Sequence, residues 1–347
     1  MAARRPTLVV TMGDPAGIGP EIVVRALASP ALRRVARLAV AGEPEIMARA
    51  AARTRTRIRF RAALPGEMDL RADGAGIPLV VSSQEGWSAI EPGAGTAISG
   101  RMAARAIETA AGLALQGGVD GIVTAPISKT ALQAAGYPYP GHTEFLGHLA
   151  GAPETKMLFI GGPFRILLAT VHLALRRVSD ALTVDGLART IEFAAAAGRN
   201  FRWKKGSAVL VLGLNPHAGE GGLFGDEEVR IIAPAIERAR ARGIRAEGPY
   251  PADTFFPQHA HRKDVGTVVA MYHDQGLIAA KSGGIGGAAN VTLGLPFIRS
   301  SVDHGTAFDR AWKGGSRAPD PAGLATAIRV GADLAARARR PLEWSWP

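Results

Sequence analysis

The chain of 347 residues contains no cysteine. That excludes disulfides, thiolate zinc sites and cysteine nucleophiles, so any transition metal has to be held by histidine and carboxylate side chains. No apolar run is long enough to cross a bilayer. The start, MAARRPTLVV, is basic, but it lacks the apolar core of a signal peptide and passes at once into a strand-like run. A soluble, cytoplasmic protein with no membrane partner is expected. Internal repeats and low-complexity linkers are also lacking. The glycine-bearing turn after the first apolar run fits neither GxGxxG nor a Walker loop.

Charge is unbalanced. Forty-one Lys and Arg against 30 Asp and Glu leave a formal net charge of +11. Part of the excess is local: Arg53, Arg55, Arg57, Arg59 and Arg61 alternate in RTRTRIRFR. This pattern predicts a solvated strand face. It has no interleaved aromatics and no recognisable binding motif, so nucleic acid is not the expected partner. An attraction for small anionic substrates uses the charge more economically.

The length suits one large domain or two medium ones. Strands are predicted at Thr7–Thr11, Val35–Ala41, Ile77–Val81, Val119–Ala125, Ala208–Leu214 and Val268–Met271. Helices are predicted from Pro20 to about Leu27 and over Ala97–Leu115, 184–197, Asp226–Arg242 and Ala322–Arg339. Pro20 and Glu21 suit the first turn of their helix. The three glycines before it, Gly13, Gly17 and Gly19, could cradle a phosphate, although a tight strand-to-helix turn is the plainer reading. Residues 137–144, YPYPGHTE, predict irregular structure. Met157–Ile160 and Arg165–Val171, separated by Gly161-Gly162-Pro163, predict a hairpin. Strands alternating with helices give an α/β class with a largely parallel core and some antiparallel pairing.

The chemistry-bearing residues gather at strand ends. His172 ends ILLATVH, His217 follows VLVLGLNP and His273 ends VVAMYH. Ligands of open α/β sheets bind beyond the carboxyl ends of strands. Three imidazoles so placed suit a divalent metal with positions left for substrate. Asp253 and Asp274 are candidate carboxylate partners for metal-bound histidines. His148, His259 and His261 lack that placement and are expected at the surface. Gly141-His142-Thr143-Glu144 offers an imidazole, a hydroxyl and a carboxylate, with Thr143 also suited to cap a following helix. The stretch from Val268 to Asp309 adds Lys281, the glycines Gly283, Gly284, Gly286 and Gly287, then Asn290, Arg299, Asp303 and His304. Lys281 and Arg299 suit phosphate or carboxylate; the plainer reading of Arg299 is a structural ion pair with Asp303.

TMGDPAGIGPE, GHTEFL, TVHLAL, GLNPHAGEGGLFG followed by EE, GPYPADTFF, MYHDQGL and NVTLGLPFIRSSVDHGTAFD occur in that order. The series resembles, across nearly the whole chain, the motifs of the PdxA family, the 4-hydroxythreonine-4-phosphate dehydrogenases of pyridoxal 5′-phosphate synthesis. The resemblance implies two α/β/α domains with a cleft between them, as in isocitrate and isopropylmalate dehydrogenases, without an ordinary Rossmann fingerprint. Residues 1–130 with 298–347 would form the first domain, and 131–297 the second, carrying metal and dimer contacts. Metal ligands would be His172, His217 and His273. Substrate would be bound by His142, Thr143, Lys281, Asn290 and Arg299, with Lys281, Asp253 and Asp274 as catalytic groups. The implied cofactors are NAD or NADP and one divalent metal, Zn, Mg, Co or Mn, in a homodimer that shares its site. The implied reaction oxidises 4-phosphohydroxy-L-threonine at C3, and decarboxylation follows to give 3-amino-2-oxopropyl phosphate. Residues 124–129 read TAPISK, where TGPxxK or TNPxxK is the familiar form. Residues 282–289, SGGIGGAA, replace a segment that usually carries an aromatic and a charge. D-threonate or D-erythronate 4-phosphate and aromatic cis-dihydrodiols are the alternative substrates.

Overall fold

The computed structural model describes residues 5–72, 74–83, 86–282, 284, 286–314 and 318–346; Gly283 of the glycine-rich turn lies outside them. Twelve strands are found among these residues. In chain order they are β1 (Thr7–Thr11), β2 (Arg37–Gly42), β3 (Phe60–Ala63), β4 (Ile77–Val81), β5 (Gly121–Thr124) and β6 (Lys156–Gly161). Then come β7 (Phe164–Leu168), β8 (Ala208–Leu212), β9 (Ala246–Tyr250), β10 (Val265–Ala270), β11 (Ala288–Leu293) and β12 (Ile298–Ser301). The chain divides into one compact unit of Met1–Thr155 with Ala289–Ala336 and another of Lys156–Ala288 with Arg337–Pro347.

These boundaries differ from the expected 1–130, 131–297 and 298–347, and packing explains why. Phe145 and Leu146 are buried in the first unit's core, which draws 131–155 into that unit. Asn290–Thr292 pair antiparallel with Arg299–Ser301, so β11 from Ala289 onward goes with β12. Trp344 stacks on Phe193 and meets Phe201 edge-on, which holds the tail to the second unit.

In the first unit the strand order is β3-β4-β2-β1-β5-β12-β11. All its pairings are parallel except β11 with β12. Both faces of this sheet are covered, as parallel sheets require. The period-two alternation shows it directly: Leu8, Val10, Leu38 and Val40 enter one core, while Val9, Ala39 and Ala41 enter the other. Helices Gly19–Leu27 and Ala322–Arg337 contribute Ile22, Leu27, Leu324 and Ile328 to the first core. Helix Ala97–Leu115 contributes Ile107 and Ala111 to the second. Thr96 caps that helix reciprocally with Ser99.

In the second unit the order is β6-β7-β10-β8-β9. β6 and β7 form the expected antiparallel hairpin, turning at Gly162 with φ 55°. β7, β10, β8 and β9 are mutually parallel. The chain leaves β8 toward β9 and comes back to β10 on the other side, so a topological switch point lies between β8 and β10.

Several expectations need correcting. The segment 137–144 is not irregular throughout, because a helix runs from His142 to Leu149. Its N-cap is Gly141 in an extended conformation with no side-chain cap, and Thr143 is a buried first-turn residue, not the cap. The arginine alternation does not form one strand face. Arg53 ends a helix, Arg55 has φ 53°, and only Arg61 lies in a strand. The helix expected over Asp226–Arg242 opens as a wide π turn, Glu228–Ile232, before Ala233–Ala241. His259 is half-buried instead of superficial: its ring stacks on Phe255 at 4.3 Å and meets Tyr250 edge-on.

Candidate active site

The first unit contains a buried cationic cluster centred on Arg299. Arg299 lies mid-strand in β12 with only 2 % of its surface exposed. Its guanidinium donates to the hydroxyls of Thr292 on β11, at 3.0 Å, and of Thr124 at the end of β5, at 2.7 Å. The register places it: Arg299 lies opposite Thr292 across the antiparallel ladder. Neutral hydroxyls do not compensate a buried cation as a carboxylate would. Burial pulls the guanidinium pKa down to about 9, with the field of Glu144 acting in the opposite direction. Arg299 is therefore still charged at neutral pH. Its Nε is closed off from water without a hydrogen-bond partner.

Two more residues share this condition. His142 Nε2 and Asn290 Oδ1 are also buried with no hydrogen-bond partner. Burial, and after it the charge of Arg299, hold His142 well below the ordinary histidine value, so its imidazole is neutral. Buried polar groups normally find partners, so these three orphans, all among the expected substrate residues and all in one unit, leave hydrogen-bonding capacity unused. Thr143, the fourth expected substrate residue of this unit, is buried one position further along the helix.

The glycines that could have cradled a phosphate serve the plainer reading, a tight strand-to-helix turn closed by the chain itself. A Cβ on Gly13 would lie 2.5 Å from the Pro126 carbonyl, and one on Gly19 would lie 2.4 Å from that of Met12. These glycines permit a tight backbone crossing. The turn's acidic residues are structural as well. Asp14 accepts from the Ala16 amide and the Ser99 hydroxyl, and Glu21 accepts from the Trp312 amide. Burial raises the pKa of both carboxyls.

In the second unit, His172 and His273 come together. The backbone continues its ladder beyond β7, with the amides of Ala169 and Thr170 donating to the carbonyls of Ala270 and Met271. The chain then turns at His172, φ 53°, and the two imidazole centroids lie 5.8 Å apart. His273 is the first residue of helix His273–Lys281. Its Nδ1 lies 2.7 Å from Asp274 Oδ1, which orients the ring and directs Nε2 to other uses. Lys281 closes the same helix and is half-buried. Asp253 is exposed in the first turn of helix Ala252–His259.

His217 follows β8 in an unusual loop. From His217 to Gly221 every residue has positive φ, between 43° and 79°, including Ala218 and Glu220. Glu228 holds it by accepting from the amides of Leu214 and Asn215, both at 2.7 Å, and from the Asn215 side chain. Glu227 accepts from Asn215 and from Ser179. Gln275 joins the strand ends, accepting from the Met271 amide and donating to the Gly213 carbonyl, each at 2.7 Å. His217 and His273 thus flank the switch point between β8 and β10. Among the described residues, no three His, Asp or Glu side chains of one chain form a metal-holding group. His217 packs on Phe224 at 6.0 Å.

A model of the PdxA family, described as "Pyridoxal phosphate biosynthetic protein PdxA", matches residues 34–330. The chain belongs to this family. It is 42 % identical over 335 residues to a 4-hydroxythreonine-4-phosphate dehydrogenase of Geobacter metallireducens, covering 96 % of this chain and 97 % of that one. It is 41 % identical over 329 residues to a D-threonate 4-phosphate dehydrogenase of Salmonella typhimurium, covering 95 % and 99 %. The crystal structure of 4-hydroxythreonine-4-phosphate dehydrogenase from Klebsiella pneumoniae superposes with a TM-score of 0.85 at 40 % identity, covering 96 % of this chain and 99 % of that one. The PdxA fold and the order of its motifs therefore account for nearly the whole chain. Sequence reasoning overlooked the residues that hold the site in place: Thr124, Thr292, Gln275 and the pair Glu227 and Glu228. The adjacent acids following GLNPHAGEGGLFG were a visible signal, whereas nothing marked the two threonines.

Proposed function

We propose that the protein is a metal- and NAD(P)-dependent dehydrogenase that oxidises 4-phosphohydroxy-L-threonine at C3, with decarboxylation to 3-amino-2-oxopropyl phosphate. The three orphaned polar atoms of His142, Asn290 and Arg299 carry this reading. A phosphate or carboxylate gives Arg299 the counter-charge that Thr124 and Thr292 do not. Neutral His142 and Asn290 supply hydrogen bonds to the hydroxyl or amino groups beside it. In the oxidation, C3 loses a hydride to the nicotinamide and its hydroxyl loses a proton. The resulting ketone stands β to the carboxylate; the C1–C2 bond then breaks to release CO2, its electron pair passes into the C3 carbonyl as an enolate, and C2 takes up a proton.

His172, His217 and His273 are the residues that would hold the divalent metal, and Asp274 would fix the ring of His273. The donor set fits: imidazoles suit Zn or Co best, whereas Mn and Mg would lean more on oxygen ligands from substrate and water. When bound, the metal supplies Lewis-acid polarisation of the oxygen on C3, and the nicotinamide takes the hydride. Exposed apolar side chains follow each histidine closely: Leu173 and Leu175, Leu223 and Phe224, and Ile278 at 74 % exposure. That distribution supports a second copy of the chain covering this region and completing the centre, in a shared-site homodimer. Lys281 is the candidate proton-handling group, with Asp253 a further catalytic candidate.

D-threonate 4-phosphate is the second reading, because a relative named for it is as similar as those named for 4-hydroxythreonine phosphate. Both substrates present a 4-phosphate and a neighbouring hydroxyl. Purified protein is assayed for NADH or NADPH formation with each substrate, with D-erythronate 4-phosphate and with an aromatic cis-dihydrodiol, in the presence of Zn, Co, Mn or Mg. Highest kcat/KM on 4-phosphohydroxy-L-threonine supports the leading reading. Preference for the threonate transfers the assignment to the second. Turnover of the unphosphorylated diol alone overturns both.

A further inference from the structure

The second unit contains a cavity of about 930 Å³ at the opposite end of its sheet from the histidines. Its floor is Ser207, Val209, Gly266 and Thr267, at the amino ends of β8 and β10. The histidines follow the carboxyl ends of the same two strands. A strand of this length spans roughly 17–20 Å, so the cavity is separate from them.

Seven of the side chains lining the cavity are Arg or Lys, and none is Asp or Glu. Three of the seven are already engaged, Arg340 among them. Arg199 donates to the carbonyls of Glu343 and Ser345, and Arg245 pairs with Glu247 and Asp264 at 2.9 Å. Among the described residues, no acid forms an ion pair with Arg202, Lys204, Lys205 or Arg339. Cations that share a confined space repel one another, and an anion entering it relieves all of them at once. Two tryptophans complete the wall, Trp203 and Trp346. Each carries a guanidinium over its ring, Arg165 at 4.6 Å and Arg199 at 5.4 Å, which makes mixed cationic and aromatic surfaces. The volume lies in the range of small-molecule sites.

We infer that this cavity binds a phosphorylated ligand with a flat aromatic ring, such as a nucleoside polyphosphate. Arg202, Lys204, Lys205 and Arg339 would hold the phosphates, and Trp203 and Trp346 the ring. The test is isothermal titration of the full-length protein at 150 mM salt with ATP and, separately, with inorganic tripolyphosphate. Wild type is expected to bind ATP with micromolar Kd and tripolyphosphate several-fold more weakly. The exposed triple variant Arg202→Ala/Lys204→Ala/Lys205→Ala should weaken ATP at least tenfold while leaving dehydrogenase activity unchanged. Undiminished ATP binding in that variant puts the ligand elsewhere and overturns the inference, as does absence of binding to wild type. Equal affinity for tripolyphosphate overturns the aromatic part. A single-stranded oligonucleotide that binds more tightly with each added nucleotide replaces the pocket by a nucleic-acid track. A circular dichroism melt of the variant matching wild type keeps the comparison valid, and Trp203→Leu provides a second arm if it does not.

Discussion

The two ligand-bearing regions of this chain are built in opposite ways. The Arg299 cluster is buried, held by ladder registry between β11, β12 and β5, and complete except for an anion. The histidine region is more open, has His172 and His217 on left-handed backbone, has exposed apolar side chains following its histidines and has no full ligand set within one chain among the described residues. On the proposed function, the first would meet an anion in a desolvated setting, where a single charge-assisted contact counts most. The second resembles half of an interface, in which ligands and apolar contacts await a counterpart. On the proposed function, substrate selection and metal capture would fall to different kinds of surface, so they should fail separately when mutated.

The most severe expected break is His273→Ala. It should reduce both metal content, read by atomic emission, and activity to background while leaving the thermal melt of the Arg299 region intact. Full metal occupancy in the variant would remove His273 from the centre. Mixed dimers of His172→Ala and His273→Ala chains sharpen the point. Partial recovery of activity on mixing is expected if sites are shared, and none if each chain works alone.

Arg299→Ala comes next. A charge-assisted contact in a closed site is worth about 1.5–3 kcal/mol, so KM should rise by about tenfold to a hundredfold with metal content unchanged. Unfolding instead would mean that the cation serves the fold. Asp274→Asn tests the other region more gently. With the Nδ1 partner weakened, metal affinity should fall by about tenfold, and at most a hundredfold.

The pH dependence separates the regions again. Free Arg299 loses its proton near pH 9 because burial disfavours the charged form. It is charged below that value and neutral above it, so kcat/KM for a phosphorylated substrate should fall as pH rises through about 9. Stability should change in the opposite sense. The unfolded chain keeps its arginine proton up to the ordinary, much higher value, so stability rises with pH above about 9. A flat kcat/KM limb to pH 10 would place the anion away from Arg299. The smallest effect is Glu220→Gly. This exposed residue has φ 43°, and glycine removes the Cβ penalty there, raising stability by up to about 1 kcal/mol in a denaturant melt. A loss of stability would show that the Glu220 side chain supports the loop.

Much of this architecture was legible in the residues. Alternating apolar runs gave the parallel core, and Ala97–Leu115 was delimited correctly because its alanine-rich helical spacing ends at polar and glycine residues. Histidines after apolar runs located the switch point, since in this topology the carboxyl ends of strands lie at one edge. What stayed hidden depends on partners distant in sequence. The helix ending at Leu149 was read from Thr143 as its cap, but its start was hidden, because Gly141 takes the cap position with no side-chain bond. Thr124 and Arg299 lie 175 positions apart, and only the β5–β12 register brings them together. The unit boundaries followed from aromatic packing of Trp344 and from the antiparallel return of β11, neither of which leaves a periodic trace.

Gln275 has a consequence for timing. By clamping Met271 to Gly213 it sets the spacing between the segments leading to His273 and His217 before any ion arrives. An incoming metal then meets a gauge already set, with little chain left to order. Chelators should accordingly strip the ion and leave the scaffold standing, and the amide of Met271 should exchange with deuterium as slowly after stripping as before.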